Sequence, residues 1–284
     1  MFQKTTLFKL TFKWLWRLFL FAILTLLTQI GGVIYLLSLP VAAFFRRRFR
    51  LPFIGFGIFI VLYSIATIWI VPQFARKYNR VPLSVFSNPH LKPENIFFAF
   101  LNRHYVRREL KTALENAAEK MQKKFPGTVV YYMDANFPLI DGYPLEPHFS
   151  HRDGRKVDIG LFWTDSKTGK PTRGLPSPFG YGVCAEPLPG ESDYAKLCEN
   201  KGFWYISLDK TIAEPFFDKK RYAFDAERTR ELGVLLAEDP TIGIILIQPH
   251  LEIRLGLTKY DNFRTQQCAA ARHDDHYHVQ LKKK

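Results

Sequence analysis

His273-Asp-Asp-His276-Tyr-His278-Val-Gln-Leu281 stands near the end of the chain, and about 120 residues earlier stands Pro147-His148-Phe-Ser-His151-Arg-Asp-Gly154-Arg-Lys-Val-Asp158-Ile159. These two stretches hold five of the eight histidines in 284 residues. On a strand, His276 and His278 project from one face, because side chains alternate with a period of two. One can bind a metal while the other faces a substrate in the same cavity, and His273 is close enough in sequence to join them. His151 and Asp158 are seven apart with Gly154 between, so a loop entering a strand can fold both side chains onto one ion, the glycine tolerating the bend. Two His and one Asp make a harder, more open site than four cysteines, which suits hydrolysis rather than structural bracing.

Working outward, charge is distributed unevenly. Of 40 Lys and Arg, eleven precede residue 81 (Lys4, Lys9, Lys13, Arg17, Arg46, Arg47, Arg48, Arg50, Arg76, Lys77, Arg80), with no acid among them. The other 29 face 26 acids, so the formal +14 belongs to an apolar N-terminal segment and gives no support to nucleic acid as a partner. Residues 18–45 and 51–73 are each long and apolar enough to cross a hydrocarbon core of about 20 helical residues. Separated by Arg46–Arg50, they predict a two-helix transmembrane hairpin in an anchor covering 1–77, rather than a cleaved signal peptide. Two spans place both termini on one side. The four-Arg turn prefers the cytoplasm, whereas the seven basic residues flanking the spans favour the opposite orientation.

A Pro- and Ser-bearing stretch over 78–105 reads as a linker, followed by a domain over 106–284. Leu110, Leu114, Ala117, Met121 and Phe125 recur at helical spacing, predicting a helix over 106–124 ended by Pro126-Gly127. Strands are expected over 128–133, 157–163, 202–208, 242–247 and 276–281, and a helix capped by Asp225 and stopped near Asp239-Pro240. Residues 164–200, rich in Gly, Pro, Ser and Lys, read as a long excursion. Irregular interleaving of strands and helices predicts α+β, a small domain with an antiparallel sheet and flanking helices. Cys184 and Cys198, with thirteen residues between them, are spaced to pair in an oxidising compartment and leave Cys268 free; three isolated thiols are the alternative.

Ser150-His151-x-x-Gly154-x-x-x-Asp158 with a terminal His276-x-His278 resembles the lysostaphin/D-Ala-D-Ala metallopeptidase superfamily. It is most similar to the penicillin-insensitive murein endopeptidase branch, which carries a further His three before the first ligand, as His148 is here, and an ending like His-Asp-Asp-His. The resemblance covers about residues 125–281 and is weakest over 164–225. It implies that His151, Asp158 and His278 hold Zn2+, and that His276 assists attack by water, with Asp275 the rival general base. It implies that His148 and His273 are auxiliary, lining the site or binding substrate. The implied substrate is the D-alanyl peptide cross-link of peptidoglycan, cut by a domain on the outer, periplasmic side of the cytoplasmic (inner) membrane. Membrane lipids and peptidoglycan are then the partners. A D,D-carboxypeptidase or dipeptidase acting on D-alanyl termini and a non-catalytic wall-binding domain are the alternatives. The anchor departs from the branch, whose members are usually soluble exported proteins.

Overall fold

The computed structural model describes the backbone of residues 2–49 and 51–283 and the side chains of 11–49 and 51–283. The side chains of Lys4 and Lys9, and Arg50 of the expected basic turn, lie outside the described residues. Helix α1 (Phe2–Thr28) is followed by α2 (Gly31–Arg48) and α3 (Ile54–Ile65), which continues through a π turn (Ala66–Ile70) into α4 (Val71–Lys77). Two stretches, Thr11–Thr28 and Ile54–Lys77, are long and apolar enough to cross a membrane. Phe12, Trp14, Leu18, Phe19, Phe56, Ile68, Trp69 and Phe74 are all exposed along them, a surface that water does not favour.

The single span expected over 18–45 is instead two helices. The chain reverses at Gln29, whose φ is 67°. Gly32 then lies so close to α1 that a Cβ would sit 2.6 Å from the Phe21 carbonyl oxygen. Only glycine permits that approach, and small residues are how apolar helices pack tightly. At the other end, a Cβ on Gly55 of α3 would meet Ala42 and Arg46 of α2. The three helices therefore run antiparallel in turn, and the two that are long and apolar enough to span, Thr11–Thr28 and Ile54–Lys77, are separated by α2.

The rest of the chain forms a mixed sheet flanked by helices. In order come β1 (Val81–Pro82), β2 (Leu91–Pro93), α5 (Ile96–Phe100), β3 (Tyr105–Val106), α6 (Arg108–Lys124), β4 (Val130–Tyr132), β5 (Lys156–Gly160) and β6 (Trp163–Asp165). Then follow α7 (Tyr194–Asn200), α8 (Leu208–Ala213), β7 (Tyr222–Phe224), α9 (Ala226–Ala237), β8 (Ile242–Leu246), α10 (Pro249–Arg254), β9 (Phe263–Arg264) and β10 (His276–Leu281). The six-stranded sheet has the order β2-β4-β5-β10-β8-β9. Its inner pairings are antiparallel, but β2 runs parallel to β4 and β9 parallel to β8, so the sheet is mixed rather than antiparallel.

Residues 78–105 are not a linker, since β2 is an edge strand of this sheet and Leu83 and Leu91 are fully buried in its core. The strand expected over 202–208 is a 3-10 turn (Trp204–Ser207) entering α8. The predicted stripe on α6 is the buried face, and α9 is capped by Asp225, whose carboxylate accepts from the Arg228 backbone N–H. Both helices cover one face of β10, where Tyr277 and Val279 are completely buried and the Tyr277 hydroxyl donates to the Thr229 carbonyl at 2.9 Å. Burying side chains of this size contributes about 1.5–3 kcal/mol each. It also fixes which way β10 faces, because a one-residue slip would exchange the two faces.

Cys198 pairs with Cys268 across a sequence separation of 70, and Cys184 is free and buried, so the expected Cys184–Cys198 pairing is incorrect. Spacing gave no access to the partner: Cys198 is on α7 and Cys268 precedes β10, and only the fold brings their Cα atoms to 5.3 Å. Closing a loop of that length stabilises by about 4 kcal/mol in the chain-entropy account.

Glu94 follows β2 and packs against the turn at Gly174 and Gly180. Burial pushes its carboxyl up to about 8, with one backbone hydrogen bond from Leu175 opposing. Its unfolded form ionises near 4.5, so between 4.5 and about 8 the unfolded chain binds fewer protons and stability falls as pH rises. Glu94→Gln should therefore melt progressively higher than the parent as pH rises from 5 to 8 in detergent; a gap independent of pH would show that Glu94 is ionised throughout.

Helix direction supplies a second prediction. The Tyr143 hydroxyl donates to Thr25 O and the Leu139 N–H to Gln29 Oε1, both at the C-terminal end of α1, while the Tyr63 hydroxyl of α3 donates to Phe100 O. Helices α1 and α3 thus both run toward the domain, and α2 returns between them. Tags before Met1 and after Lys284 should label on opposite faces of the membrane. Labelling on the same face would show an even number of crossings, as the two candidate spans alone would give.

Candidate metal centre

Strands β5 and β10 pair with His278 opposite Asp158 and His276 opposite Gly160. The face of β10 turned away from α6 and α9 therefore carries both histidines against the carboxylate of β5. The loop before β5 supplies the rest. It turns through the His151 N–H donating to His148 O at 2.9 Å, then through Gly154 at φ 76°, where a Cβ would press on Arg80 and Arg107. Arg80 is completely buried; its guanidinium donates to Phe137 O, Asp141 Oδ1 and Arg152 O. Arg107 holds the other oxygen of Asp141 at 3.2 Å. Two arginines and one aspartate thus pin the loop that presents His148 and His151.

The result is a compact cluster. Asp158 Oδ1 stands 3.3 Å from His151 Nε2 and 3.0 Å from His278 Nδ1, and those two nitrogens are 3.0 Å apart. Ligands bound tetrahedrally at 2.0–2.1 Å are separated by about 3.3 Å, so the three atoms already outline one face of such a site. His151 donates from Nδ1 to the Ala135 carbonyl at 2.7 Å, which leaves Nε2 with its lone pair directed at the others. His148 reaches the second oxygen, its Nδ1 3.3 Å from Asp158 Oδ2. His148, His151 and Asp158 form a group that could hold a metal ion, their ligand atoms lying within 4.8 Å of one another. Burial would raise the Asp158 carboxyl, but the neighbouring His151 and His276 hold it well below the carboxylate range.

His276 occupies a different station. Its Nδ1 meets Asp275 Oδ1 at 2.5 Å, while its buried Nε2 has no hydrogen-bond partner and lies 3.7 Å from Asp158 Oδ1. Burial alone would lower its pKa; the Asp275 and Asp158 carboxylates outweigh that and lift it to about 9. Both oxygens of Asp275 are engaged, since Oδ2 accepts from the Gly182 N–H at 2.6 Å. His273 is buried with its ring centroid 4.7 Å from that of His276, and Nδ1 has no partner. Burial pushes His148 down to about 3 and His273 well below its ordinary value. All seven residues singled out in the sequence thus converge.

The sequence did not reveal three further members. The Tyr181 hydroxyl donates to Asp158 Oδ2 at 2.9 Å, and its ring stacks on His148 at 4.7 Å. Asp134, just after β4, carries Arg103 on its carboxylate at 2.6 Å and lies 3.7 Å from His148 Nε2. Burial raises Asp134 to about 6, with Arg103 opposing. Arg272 binds Asp274 and Glu186, bracing the segment before β10. Tyr181, between Gly180 and Gly182 in the 164–200 stretch, was the one with a visible signal, an aromatic set between glycines. Asp134 and Arg272 had none.

Compared with models of protein families and with curated proteins, the chain matches none.

Both His278 and His148 lie within reach of Asp158, and metal content separates them. Full-length protein should hold a divalent ion in near-equimolar amount. His151→Ala, Asp158→Ala and His278→Ala should each lose it, while His148→Ala keeps it. Retention in His278→Ala with loss in His148→Ala would move the third ligand to His148.

Proposed function

We propose that this chain is a membrane-anchored, zinc-dependent murein endopeptidase that hydrolyses D-alanyl peptide cross-links in peptidoglycan. The observation that carries the reading is the triangle of His151 Nε2, Asp158 Oδ1 and His278 Nδ1 beside the His276–Asp275 pair. Two imidazoles and one carboxylate with an open side are a donor set that zinc takes in hydrolytic sites. The motifs resembling the murein endopeptidase branch supply the same residues for the same roles. The Cys198–Cys268 disulfide favours an oxidising compartment, and peptidoglycan lies outside the cytoplasmic membrane. With the domain outside, Arg46–Arg48 at the far end of α2 fall on the cytoplasmic side while Arg76 and Lys77 fall on the outer side, so flanking charge supports this orientation in part.

A zinc ion in this position supplies Lewis acidity toward a carbonyl oxygen and makes water a stronger acid. The protein's own groups do the rest. With a cation at Asp158 offsetting one of the two carboxylates that raise His276, the imidazole, then neutral at Nε2, would take a proton from the attacking water and return it to the departing amine. Asp275 holds the opposite ring nitrogen, fixing the tautomer and ring plane, and with both oxygens occupied it is a positioning residue rather than the base. His273, with a free ring nitrogen beside His276, is placed to donate to the oxyanion. Tyr181 restrains Asp158 from the other oxygen, so Oδ1 stays directed at His151 and His278.

The test is zinc content measured together with muropeptide products from the full-length protein in detergent. Cross-linked muropeptides should be cleaved to monomers. Release of D-alanine from uncross-linked peptides alone would point to a carboxypeptidase, and zinc binding with no cleavage to a wall-binding role. His276→Ala should retain zinc yet lose about 10²–10⁴-fold in rate. Normal turnover in that variant, with Asp275→Ala inactive, would transfer the base role to Asp275.

A further inference from the structure

Helix α5 is short, but its exposed side is almost wholly apolar: Ile96, Phe97 and Phe100 all face outward, Phe97 with 63% of its surface free. It is joined to the middle of the Ile54–Lys77 span. The Tyr63 hydroxyl donates to Phe100 O at 2.7 Å, the Tyr63 and Phe100 rings lie 5.1 Å apart, and the Asn102 amide reaches the Tyr63 hydroxyl at 3.0 Å. Tyr63 is about 20 Å along the helix from Lys77. Exposed apolar side chains continue past it on the outer side, through Ile65, Ile68, Trp69 and Ile70 to Phe74. If that stretch crosses the membrane, α5 sits at bilayer depth and its bare face meets lipid rather than water.

Behind α5 is a cavity of about 560 Å³. Phe97, Phe98, Leu101, Pro178 and Phe179 line its outer part, and Arg103, Asp134, His148 and Tyr181 its inner end. The apolar wall is continuous with the lipid-facing side of α5 through Phe97. The polar end borders the metal centre through His148, 3.3 Å from Asp158, and Tyr181, 2.9 Å from it. An apolar channel with one end at bilayer depth and the other at a polar catalytic cluster matches an amphiphile, not a freely soluble peptide.

We propose that the centre receives a membrane-embedded amphiphile sideways from the bilayer, its hydrocarbon chain between Phe98, Leu101 and Phe179 and its polar head at His148 and Tyr181. The binding part of this stands apart from the hydrolytic reading; joined to it, the substrate is a peptide carried on a lipid. Moving a chain from lipid into the groove exchanges one apolar surrounding for another, so the groove selects by shape and by the head at its polar end rather than by hydrophobic gain.

The experiment uses full-length protein in nanodiscs of phosphatidylglycerol that contain a trace of the same lipid with a photoreactive acyl chain, adducts being located by mass spectrometry. Adducts are expected inside the groove, on Phe98, Leu101 and Phe179, in addition to those on the outer face at Ile68 and Trp69. Leu101→Trp fills the groove, and Phe97→Glu places a charge at its mouth, where the side chain is largely exposed. In either variant that melts like the parent, groove adducts should fall to the level given by a chain-free photoprobe while adducts at Trp69 persist. Adducts confined to Ile68 and Trp69, or groove adducts unchanged in both variants, would overturn the proposal. Groove adducts without any muropeptide cleavage would leave it standing and count against the endopeptidase, and cleavage without groove adducts would do the reverse.

Discussion

The pairing of β5 with β10 in one register underlies everything else at the centre. Setting His278 opposite Asp158 joins residues 120 positions apart, and the alternation of β10 then divides its side chains between two tasks. Tyr277, Val279 and Leu281 enter the core under α6 and α9; His276 and His278 face Asp275 and Asp158. The hydrophobic side is what holds the histidine side in place. Shifting the strand by one residue would bury two histidines without partners against α9 and set a tyrosine and a valine against the buried carboxylates, leaving those charges unmatched.

Several groups at the centre carry opposing charge in a space closed to water. Asp134, Asp158 and Asp275 are all at least 97% buried, and each is matched by a specific partner: Arg103, the imidazoles, or His276 with the Gly182 N–H. Charges removed from water are tolerable only with such complete matching. The array at Asp158 is different in kind, because three histidine nitrogens and a tyrosine hydroxyl crowd one carboxylate. Burial presses His148, His273 and His278 toward their neutral forms, which are the forms that can offer a lone pair. A divalent cation at this point would satisfy the carboxylate and the neutral imidazoles together.

What was legible in the sequence follows from how local each signal is. The helical stripe of Leu110 to Met121, the Asp225 cap and the alternation in His276–Leu281 are fixed by neighbours within a turn or two, and each appears where the pattern puts it. The histidine clusters were visible because their residue types are rare and closely spaced. Features decided by distant contacts were not visible. Cys198 finds Cys268 only through the placement of α7, and Tyr181 reaches Asp158 only because the loop from 166 to 193 folds inward over the sheet. The reversal at Gln29 was hidden for another reason: a break between two apolar helices leaves hydropathy unchanged, and only the adjacent Gly31-Gly32 pair marks it.

The stretch from Tyr78 to Tyr105 shows the same limit and has the larger consequence. Its prolines and serines have the composition of a tether, and composition is indifferent to whether a loop is packed or free. Arg80 decides the matter. Placed three residues after the last membrane-candidate helix, it is completely buried and bonded to Phe137, Asp141 and Arg152, the ends of the loop that carries His148 and His151. The same loop docks on α1 through Leu139 and Tyr143. The histidine loop is thus held from the sheet side by Asn136 and from the helix side by Arg80, Gln29 and Thr25. A centre whose first ligands hang on such a loop cannot be separated from the helices without losing half of its supports. The apolar segment is therefore part of the site's architecture as well as its attachment, which is consistent with a cavity lined by Phe97 and Leu101 as well as by His148 and Tyr181.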